Sequence, residues 1–446
     1  MVERLLERLS GVERFTYFGR VTRVVGLVVE VVGLDLALGE LCRIESLTHS
    51  TVLAEVVGFH ERGILLMPLT ELDGVHPGAG VQPLGRSFGV DVGPGLLGRV
   101  LDGLGRPLDG RGDVGPTERV PLSQDPPNPL DRKVIDTPLR TGVRAIDGML
   151  TLGEGQRMGI FAGSGVGKST LLGMIARQSS ADVNVIALLG ERGREVRDFI
   201  ENALGPEGLA RSVVVVATGD QSALVRARGA LVATSIAEYF RDAGKQVLLM
   251  VDSVTRVAMA WREIGLAVGE PPTTKGYPPS VFAQLPRLLE RAGNGPDRGI
   301  SAIYTVLVEG DDFNEPVADH VRSVLDGHIV LTRELAASGH FPAIDVLEST
   351  SRVRDQIVSA EQRSAADAVR RMVAAYRDKE DLIAVGAYQE GSSPEVDAAI
   401  RMRAPINAFL RQRPDDYTSW HDTVEGLLRL GRQVREIEGE QAEVAA

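Results

Sequence analysis

Residues 161–170 read Phe-Ala-Gly-Ser-Gly-Val-Gly-Lys-Ser-Thr. The apolar residues Met158 and Ile160 come just before this stretch, and an amphipathic segment containing Leu171 and Leu172 follows it. A glycine-rich turn between a strand-like run and a helix-like run is typical of a phosphate-binding loop, although Ala162 replaces the usual first glycine. The alternative, a glycine-rich turn that binds nothing, leaves the two flanking elements unexplained. The sequence therefore predicts an α/β nucleotide-binding domain.

Each part of this loop has a predicted task in binding ATP and Mg²⁺. Lys168 is expected to neutralise charge between the β- and γ-phosphates, and the Ser169 hydroxyl is expected to ligate Mg²⁺. The partial positive charge of a helix N-terminus adds to the attraction for phosphate. The remaining groups that are predicted to surround the phosphates belong to Gly163, Ser164, Gly165, Val166, Gly167 and Thr170.

The composition is that of a globular protein with two or three domains. The 446 residues are 43% hydrophobic and 25% charged, and no apolar stretch approaches the ~20 residues of a membrane span. Alternating charges in residues 1–9 are unlike a signal peptide, so we expect a cytoplasmic protein. Cys42 is the single cysteine, which rules out an internal disulfide, and it is expected to be a small buried residue. The net charge of −12 argues against nucleic-acid binding through bulk attraction.

Hydrophobic patterning divides the chain into four segments, of which the first two precede the nucleotide-binding region. Residues 2–9 carry apolar residues at helical spacing, so the segment 1–16 is predicted to contain an amphipathic helix that either packs on its own domain or docks on a partner. Residues 17–90 contain short β-branched runs separated by glycine and proline, and they are predicted to form a small β-barrel. The expected strands lie at 21–32, 52–59, 64–68 and 81–84.

Residues 91–354 are predicted to form the nucleotide-binding core. Their first part, 93–138, is rich in glycine, proline and aspartate and predicts turns and connections. After Gly155, strand-like runs alternate with helix-like segments, which indicates a mostly parallel sheet flanked by helices. The expected strands lie at 157–161, 183–189, 212–217, 247–252, 300–308 and 328–332.

Residues 355–446 are predicted to form a C-terminal helical domain, because the strand-like runs stop and helical spacing takes over. Ser393 followed by Pro394 is typical of a helix start, with an N-cap and a proline at the first helical position. One apolar stripe contains Val369, Met372, Val373 and Tyr376.

Two carboxylates follow strand-like runs, at the edge where parallel strands open toward a ligand. Asp252 is the candidate for the Mg²⁺ shell, and capping of the next helix is the alternative. Glu191 is the candidate base that orients the attacking water, and a solvated charged loop is the alternative. Glu195 lies about one helical turn further on. Arg192 is predicted to hold the glutamate or a phosphate in place.

Two further residues are candidates for completing the site. Charge builds up on a phosphoryl group as it is transferred, and an arginine from a neighbouring subunit can stabilise that charge. Arg352 is the candidate for this role, and an ordinary salt bridge is the alternative. Phe341 is the candidate for a flat wall beside adenine, and plain core packing is the alternative. The seven histidines show no metal-ligand spacing.

Four stretches stand out by their order and spacing. They begin at Ala162 (Ala-Gly-Ser-Gly-Val-Gly-Lys-Ser-Thr), Gly190 (Gly-Glu-Arg-Gly-Arg-Glu-Val), Met250 (Met-Val-Asp-Ser-Val-Thr-Arg) and Pro342 (Pro-Ala-Ile-Asp-Val-Leu-Glu-Ser-Thr-Ser-Arg). Together they resemble the rotary ATPase catalytic-subunit family. The passage Lys-Gly-Tyr-Pro-Pro-Ser-Val-Phe-Ala-Gln-Leu-Pro-Arg at 275–287 narrows the resemblance to the ATPases of type III protein export, and the first domain most resembles their flagellar branch.

This resemblance implies an N-terminal β-barrel, a RecA-like ATPase core, a C-terminal helical domain and a homohexameric ring. It assigns Glu191 as the catalytic base, Arg352 as an arginine finger across the subunit boundary, and Phe341 as part of the adenine pocket. Non-hydrolysing members of the rotary family lack the glutamate, which this chain keeps. The implied partners are a regulatory stator-like protein at the first helix, a coiled-coil stalk protein, the membrane export gate, and export substrates with their chaperones. The implied location is the cytoplasmic side of the inner-membrane export apparatus.

The predicted function is therefore Mg²⁺-dependent ATP hydrolysis that delivers flagellar proteins to an export gate. The alternatives are the corresponding ATPase of a virulence injectisome, a subunit of a proton-driven ATP synthase, and a nucleic-acid translocase with the same core. The acidic charge, the 4% aromatic content and the lack of an RNA-binding signature argue against the translocase, so no nucleic-acid partner is expected. The proline-rich loop at 265–280 either lines a ring pore or is a solvated connection.

Overall fold

The computed structural model of the chain describes residues 18–48, 51–61, 63–308 and 315–445. The amphipathic helix predicted at 1–16 lies outside these residues. In chain order the strands are β1 (Gly19–Val25), β2 (Val28–Val32), β3 (Glu40–Glu45), β4 (Thr51–His60), β5 (Gly63–Pro68), β6 (Gly80–Ser87), β7 (Gly89–Val92), β8 (Val100–Asp102), β9 (Glu118–Pro121), β10 (Pro138–Leu139), β11 (Leu152–Gly153), β12 (Arg157–Ala162), β13 (Val183–Leu189), β14 (Ser212–Ala217), β15 (Val247–Asp252), β16 (Gly293–Asn294), β17 (Gly299–Leu307), β18 (Gly327–Leu331) and β19 (Thr350–Ser351).

Helices are confined to the part of the described chain that follows the barrel, apart from single turns. They are α1 (Lys168–Gln178), α2 (Gly193–Asp198), α3 (Gly205–Ala210), α4 (Ala223–Asp242), α5 (Val254–Ala267), α6 (Pro279–Leu289), α7 (Pro316–Val324), α8 (Arg333–Ala337), α9 (Arg354–Ile357), α10 (Ala360–Ala384), α11 (Pro394–Leu410) and α12 (Trp420–Ala445). Shorter or wider helical turns occur at Pro94–Leu96, Pro129–Asp131, Ala145–Leu150, Phe199–Leu204 and Thr274–Gly276.

The first six strands form a closed antiparallel barrel in the order β1-β2-β5-β4-β3-β6. It closes through pairing of β1 with β6. Alternate side chains of each strand point inward, as the period of two residues requires. The barrel core includes Val29, Val31, Ile44, Leu66 and the lone cysteine Cys42, each fully buried. The predicted barrel and the predicted burial of Cys42 are confirmed.

Two details of the barrel differ from the prediction. The run at 21–32 is not one strand but the hairpin β1–β2, which turns at Gly26 (φ +57°) inside a continuous apolar sequence. Strand β3 was not predicted, because charged residues interrupt its apolar ones and leave no apolar run. Its extended conformation is stabilised by pairing with β4 on one side and β6 on the other, and not by a pattern in its own sequence.

The nucleotide-binding core contains a nine-stranded sheet in the order β19-β18-β12-β17-β15-β13-β14-β8, with β16 paired to β17. The strands are parallel except for the short strands β16 and β19. Each of the six predicted core strands is present to within one residue at either end. Their carboxyl ends therefore lie along one edge of the sheet, where ligands bind in such folds.

The segment 93–138 is more than turns and connections, so that prediction is wrong in part. It contributes β8, which pairs in parallel with β14 at the edge of the core sheet, and β9, which pairs with β7. These strands have three or four residues each, which is too short for a period to be visible in the sequence. They join the end of the barrel to the core.

The C-terminal domain consists of α10, α11 and α12. These helices pack on one another and on one face of the core sheet. Val369 and Met372 are buried, and Val373 and Tyr376 pack beside them, as the predicted stripe requires. Helix α11 begins with Pro394 after Ser393 at the N-cap, but the serine side chain makes no capping hydrogen bond. This helix start is therefore confirmed by position rather than by the capping bond.

The barrel and the core share one continuous apolar interior. Leu41, Leu65 and Met67 of the barrel pack in the same cluster as the face of the core sheet opposite the C-terminal domain. Within this contact the carboxylate of Glu55 (β4), which is 1% exposed, forms an ion pair with Arg228 (α4). This ion pair joins β4 of the barrel to α4 of the core.

Candidate functional site

The predicted phosphate-binding loop connects β12 to α1. Gly165 and Gly167 adopt left-handed conformations (φ +81° and +89°), which residues with a Cβ atom adopt only with strain. Val166 is buried and anchors the loop, whereas Ser169 and Thr170 are exposed in the first turn of α1. The loop therefore presents backbone N–H groups and the N-terminus of α1 to the carboxyl edge of the sheet.

Lys168 lies between two carboxylates that come from neighbouring strands. Its Nζ atom contacts Asp252, the last residue of β15, and lies 3.4 Å from Oε1 of Glu191, just beyond β13. The Thr305 hydroxyl of β17 donates a hydrogen bond of 2.7 Å to Asp252. The structure thus brings together Lys168, Glu191 and Asp252, which the sequence separates by up to 84 residues. We call these three residues and Thr305 the lysine cluster.

Thr305 was not among the predicted site residues. It is fully buried in the apolar strand β17, next to β15. A threonine in a largely apolar buried run is weak evidence for a site residue, because many such threonines bond to their own backbone. Only the pairing of the strands shows that Thr305 fixes the Asp252 carboxylate.

The electrostatics of the lysine cluster keep Lys168 charged. Burial lowers the pKa of Lys168, but the carboxylates of Asp252 and Glu191 outweigh burial and leave that pKa raised. Burial raises the pKa of Glu191, and its hydrogen bond and charge interaction with Glu195 add to the rise against the opposing charge of Lys168. Lys168 is therefore held as a cation between two carboxylates, and the pKa of one of them, Glu191, is raised.

The structure does not bring the two predicted arginines into the lysine cluster of the same chain. The Arg192 side chain is 88% exposed and lies 3.8 Å from Glu195. Arg352 follows β19, its backbone N–H donates to the carbonyl of Asp326 (3.0 Å), and the residue is exposed. Among the described residues, no hydrogen bond or ion pair joins either side chain to Lys168. The roles predicted for both arginines stay predictions.

Phe341 lies directly beside the phosphate-binding loop. A Cβ atom at Gly167 would lie 3.5 Å from Cδ1 of the Phe341 ring. The side chain is 45% exposed, so the alternative of plain core packing is not what the structure has. An exposed aromatic face next to the phosphate-binding loop is available to stack on a flat base.

The donors near the loop suit Mg²⁺ rather than a metal held in a protein cage. The described residues contain no group of three or more His, Cys, Asp or Glu side chains that could hold a metal ion. The predicted ligands Ser169 and Asp252 would supply one hydroxyl and one carboxylate. Mg²⁺ keeps several waters and takes phosphate oxygens with only one or two carboxylates, so this small donor set fits it.

The loop at 265–280 is only partly solvated. Residues 271–275 are exposed, but Tyr277 is buried, and the Arg262 guanidinium stacks over its ring at 5.0 Å. The segment is thus anchored at Tyr277 and exposed at residues 271–275, and its place in a ring pore stays a prediction. In the described part of the chain, no helix is long and apolar enough to span a membrane.

Three family models match consecutive parts of the chain. The beta-barrel domain of the ATP synthase alpha/beta family matches residues 21–85, and the nucleotide-binding domain of that family matches residues 142–351. The C-terminal domain of the EscN ATPase of type III secretion systems matches residues 358–429. The three matches follow the order of the three domains.

Similar proteins and structures extend over nearly the whole chain. The chain is 53% identical to the flagellum-specific ATP synthase of Bacillus subtilis, over 96% of this chain and 98% of that protein. It is also 53% identical to the type 3 secretion system ATPase of Xanthomonas euvesicatoria, over 96% of this chain and 97% of that protein.

Among solved structures, the assembled ATPase EscN of enteropathogenic E. coli superposes with a TM-score of 0.88 at 48% identity, over 93% of this chain and 100% of that one. EscN in complex with its central stalk EscO gives 0.86 at 47% identity, with the same coverage. The predicted resemblance is confirmed, and the chain belongs to the family of flagellum-specific ATP synthases and type III secretion ATPases.

Proposed function

We propose that this chain is the Mg²⁺-dependent ATP hydrolase of a flagellar type III protein-export apparatus. The observation that carries the proposal is the lysine cluster, in which Lys168 of the phosphate-binding loop lies between Asp252 and Glu191. A loop that only binds nucleotide has no need for the second carboxylate. Membership of a family of ATP synthases and ATPases supports the same activity.

In this proposal the residues of the cluster divide the work of phosphoryl transfer to water. The loop N–H groups and Lys168 hold the β- and γ-phosphates, and Lys168 exchanges its carboxylate partners for phosphate oxygens. Ser169 and Asp252 would hold Mg²⁺, which would supply positive charge to neutralise the phosphates, and Thr305 keeps Asp252 in place. Glu191, with its raised pKa, orients the attacking water and accepts its proton.

We further propose that the site is completed by a second copy of the chain in a homohexameric ring. One chain carries both a buried carboxylate at the cluster and an exposed arginine, Arg352, far from that cluster in sequence. Identical subunits in a ring present the arginine of one to the cluster of the next, where it stabilises charge on the transferred phosphoryl group. The assembled state of EscN supports this arrangement.

The proposed partners follow from the relatives. EscN has been solved with its central stalk EscO, which supports a coiled-coil stalk protein in the ring of this chain. The proposal also includes a stator-like regulator bound by residues 1–16, the membrane export gate, and export substrates with their chaperones. The proposed location is the cytoplasmic face of the membrane that holds the export apparatus.

One observation favours the injectisome as a second candidate system. The flagellar relative from Bacillus and the secretion relative from Xanthomonas are equally similar to this chain, at 53% identity. The flagellar system is preferred because the first domain, including the Leu-Leu-Met-Pro-Leu stretch at 65–69, most resembles that branch. Deleting the gene and scoring motility against secretion of effector proteins separates the two systems.

The first experiment measures the specific Mg²⁺-ATPase activity of the purified chain against protein concentration, with and without RNA. A ring that completes its own sites shows a steep rise in activity per chain with concentration and no response to RNA. The Glu191→Gln variant is the matched control and should bind ATP without turnover. Activity that is independent of concentration, or that requires RNA, would contradict the proposal.

A further inference from the structure

Gln412 lies in the loop after α11 and is 4% exposed. Its side-chain Nε2 donates to the carbonyl oxygens of Gly142 (2.8 Å) and Asp416 (3.0 Å), and its Oε1 accepts from the backbone N–H of Arg144 (2.8 Å). A buried amide with both N–H groups and its oxygen engaged holds a loop firmly, because its removal leaves buried backbone groups unpaired. The proposed chemistry makes no use of this residue.

The same loop is tied to the nucleotide-binding core at other points. Arg144 donates to the carbonyl oxygens of Phe409, at 2.8 Å, and Arg411. From the last turn of α1, the helix that begins at the phosphate-binding loop, Arg177 donates to the carbonyl of Pro414 (2.7 Å). The end of α11 is thus fixed to the core on both sides of Gln412, and the side chain of Gln412 occupies the middle of this contact.

The backbone of Gln412 extends the contact to the predicted adenine wall. Its N–H donates a hydrogen bond of 2.9 Å to the carbonyl oxygen of Phe341. The Phe341 ring is half exposed and lies against Gly167 of the phosphate-binding loop. The peptide that carries the ring is therefore held by a residue of the C-terminal domain.

We propose that Gln412 is a positioning residue for the base of the bound nucleotide. Its side chain anchors the loop after α11, and its backbone then holds Phe341 beside the phosphate-binding loop. This inference rests on the proposed ATP hydrolase function. A wall that is fixed before the ligand arrives loses less entropy on binding, so releasing it weakens binding of the base and leaves the phosphate contacts intact.

The test compares Gln412→Ala and Gln412→Glu with the wild-type chain. Steady-state assays give kcat and KM for ATP, and inorganic tripolyphosphate, which has no base, serves as a competitive inhibitor. Losing these hydrogen bonds should raise KM for ATP about tenfold and leave kcat within about twofold. The inhibition constant of tripolyphosphate should stay at its wild-type value. Gln412→Glu keeps the size and the acceptor but loses both donors when ionised, and thermal unfolding of both variants shows whether each is folded.

The matched control is Arg413→Ala, which removes an exposed neighbouring side chain that pairs with Asp415. It should keep the wild-type KM. A second arm repeats Gln412→Ala in a Phe341→Ala background, where KM should rise no further because the two residues act in one chain of contacts.

Several results would overturn the inference. They are equal weakening of ATP and tripolyphosphate, a lower kcat at unchanged KM, and additive effects of the Gln412 and Phe341 substitutions. An unchanged KM in both Gln412 variants would overturn it as well. A wild-type chain that fails to hydrolyse ATP would count against the proposed function instead, so the two failures are distinguishable.

Discussion

The lysine cluster and the surface around Arg352 differ in how completely a single chain builds them. In the cluster, Lys168 at the start of α1 and Thr305 on β17 both bond to Asp252 at the end of β15, and all three side chains are largely buried. Arg352 is exposed, and within the described ranges its guanidinium makes no hydrogen bond or ion pair. One half of the proposed site is thus formed by folding, and the other half is an unpaired charge at the surface.

In the proposed mechanism, this difference separates the steps that depend on folding from those that depend on assembly. Folding places the groups that are proposed to hold phosphate, because parallel strands bring their carboxyl ends to one edge. An exposed arginine has no fixed partner until another surface approaches it, and exposed pairs contribute little to stability. Nucleotide binding is therefore expected in one chain, and turnover only between chains.

The largest effect on ATP binding is expected in the lysine cluster, the part of the site that a single chain forms. Lys168→Ala leaves two carboxylates facing the phosphates, and truncating one partner of a buried charge pair costs roughly 2–5 kcal/mol. ATP binding should weaken by about 100-fold or more, and turnover should vanish with it. Binding of a fluorescent ATP analogue measures this, with the exposed Lys245→Ala as control. If Lys168→Ala bound the ATP analogue with wild-type affinity, the assignment of the phosphate-binding loop would be wrong.

The next effect tests the half that needs assembly. Arg352→Ala should bind ATP normally but lose about 10³-fold in kcat, as expected for a finger that stabilises transferred charge. Mixing it with Glu191→Gln should restore up to about a quarter of the activity, since a quarter of random interfaces in a ring pair an intact glutamate with an intact arginine.

The exposed Arg371→Ala on α10 is the control for the same mixing experiment, and it should keep wild-type turnover by itself. If confirmed mixed rings of Arg352→Ala and Glu191→Gln show no recovered ATPase activity, the arginine does not act across the subunit boundary.

The smallest effect concerns His340, which precedes Phe341 in the sequence between the lysine cluster and Arg352. Burial, together with the charges of Arg411 and Arg403, lowers the pKa of His340 to about 4, against about 6.5 when unfolded. Between pH 6.5 and 4 the unfolded chain binds a proton that the folded chain does not, so stability is complete above pH 6.5 and falls as the pH drops. Thermal unfolding at pH 7.5, 5.5 and 4.5 should show this fall.

His340→Gln should make the loss of melting temperature on acidification shallower, whereas the exposed His421→Gln should leave the wild-type slope. Equal slopes for all three proteins would mean that His340 is not buried as a neutral ring beside Phe341, and that the Phe341 segment is less firmly built than the structure has it.

Prediction from the sequence succeeded where a signal is long and local. The six core strands were located to within one residue, because each is a run of buried apolar residues between turns. It failed at β3, β8 and β9, which are short and owe their order to the strands beside them. Thr305 was missed for a related reason, since its partner Asp252 is 53 residues away.

The sequence by itself determined the phosphate-binding loop, the order of the three domains and the chemical types of the site residues, because glycine spacing and hydrophobic period act over a few residues. Only the tertiary structure decided that Asp252 and Glu191 share Lys168, that Thr305 orients Asp252, and that Gln412 holds Phe341 from another domain. These contacts join residues far apart in the chain. Their formation depends on strand order and domain packing, which no local pattern encodes.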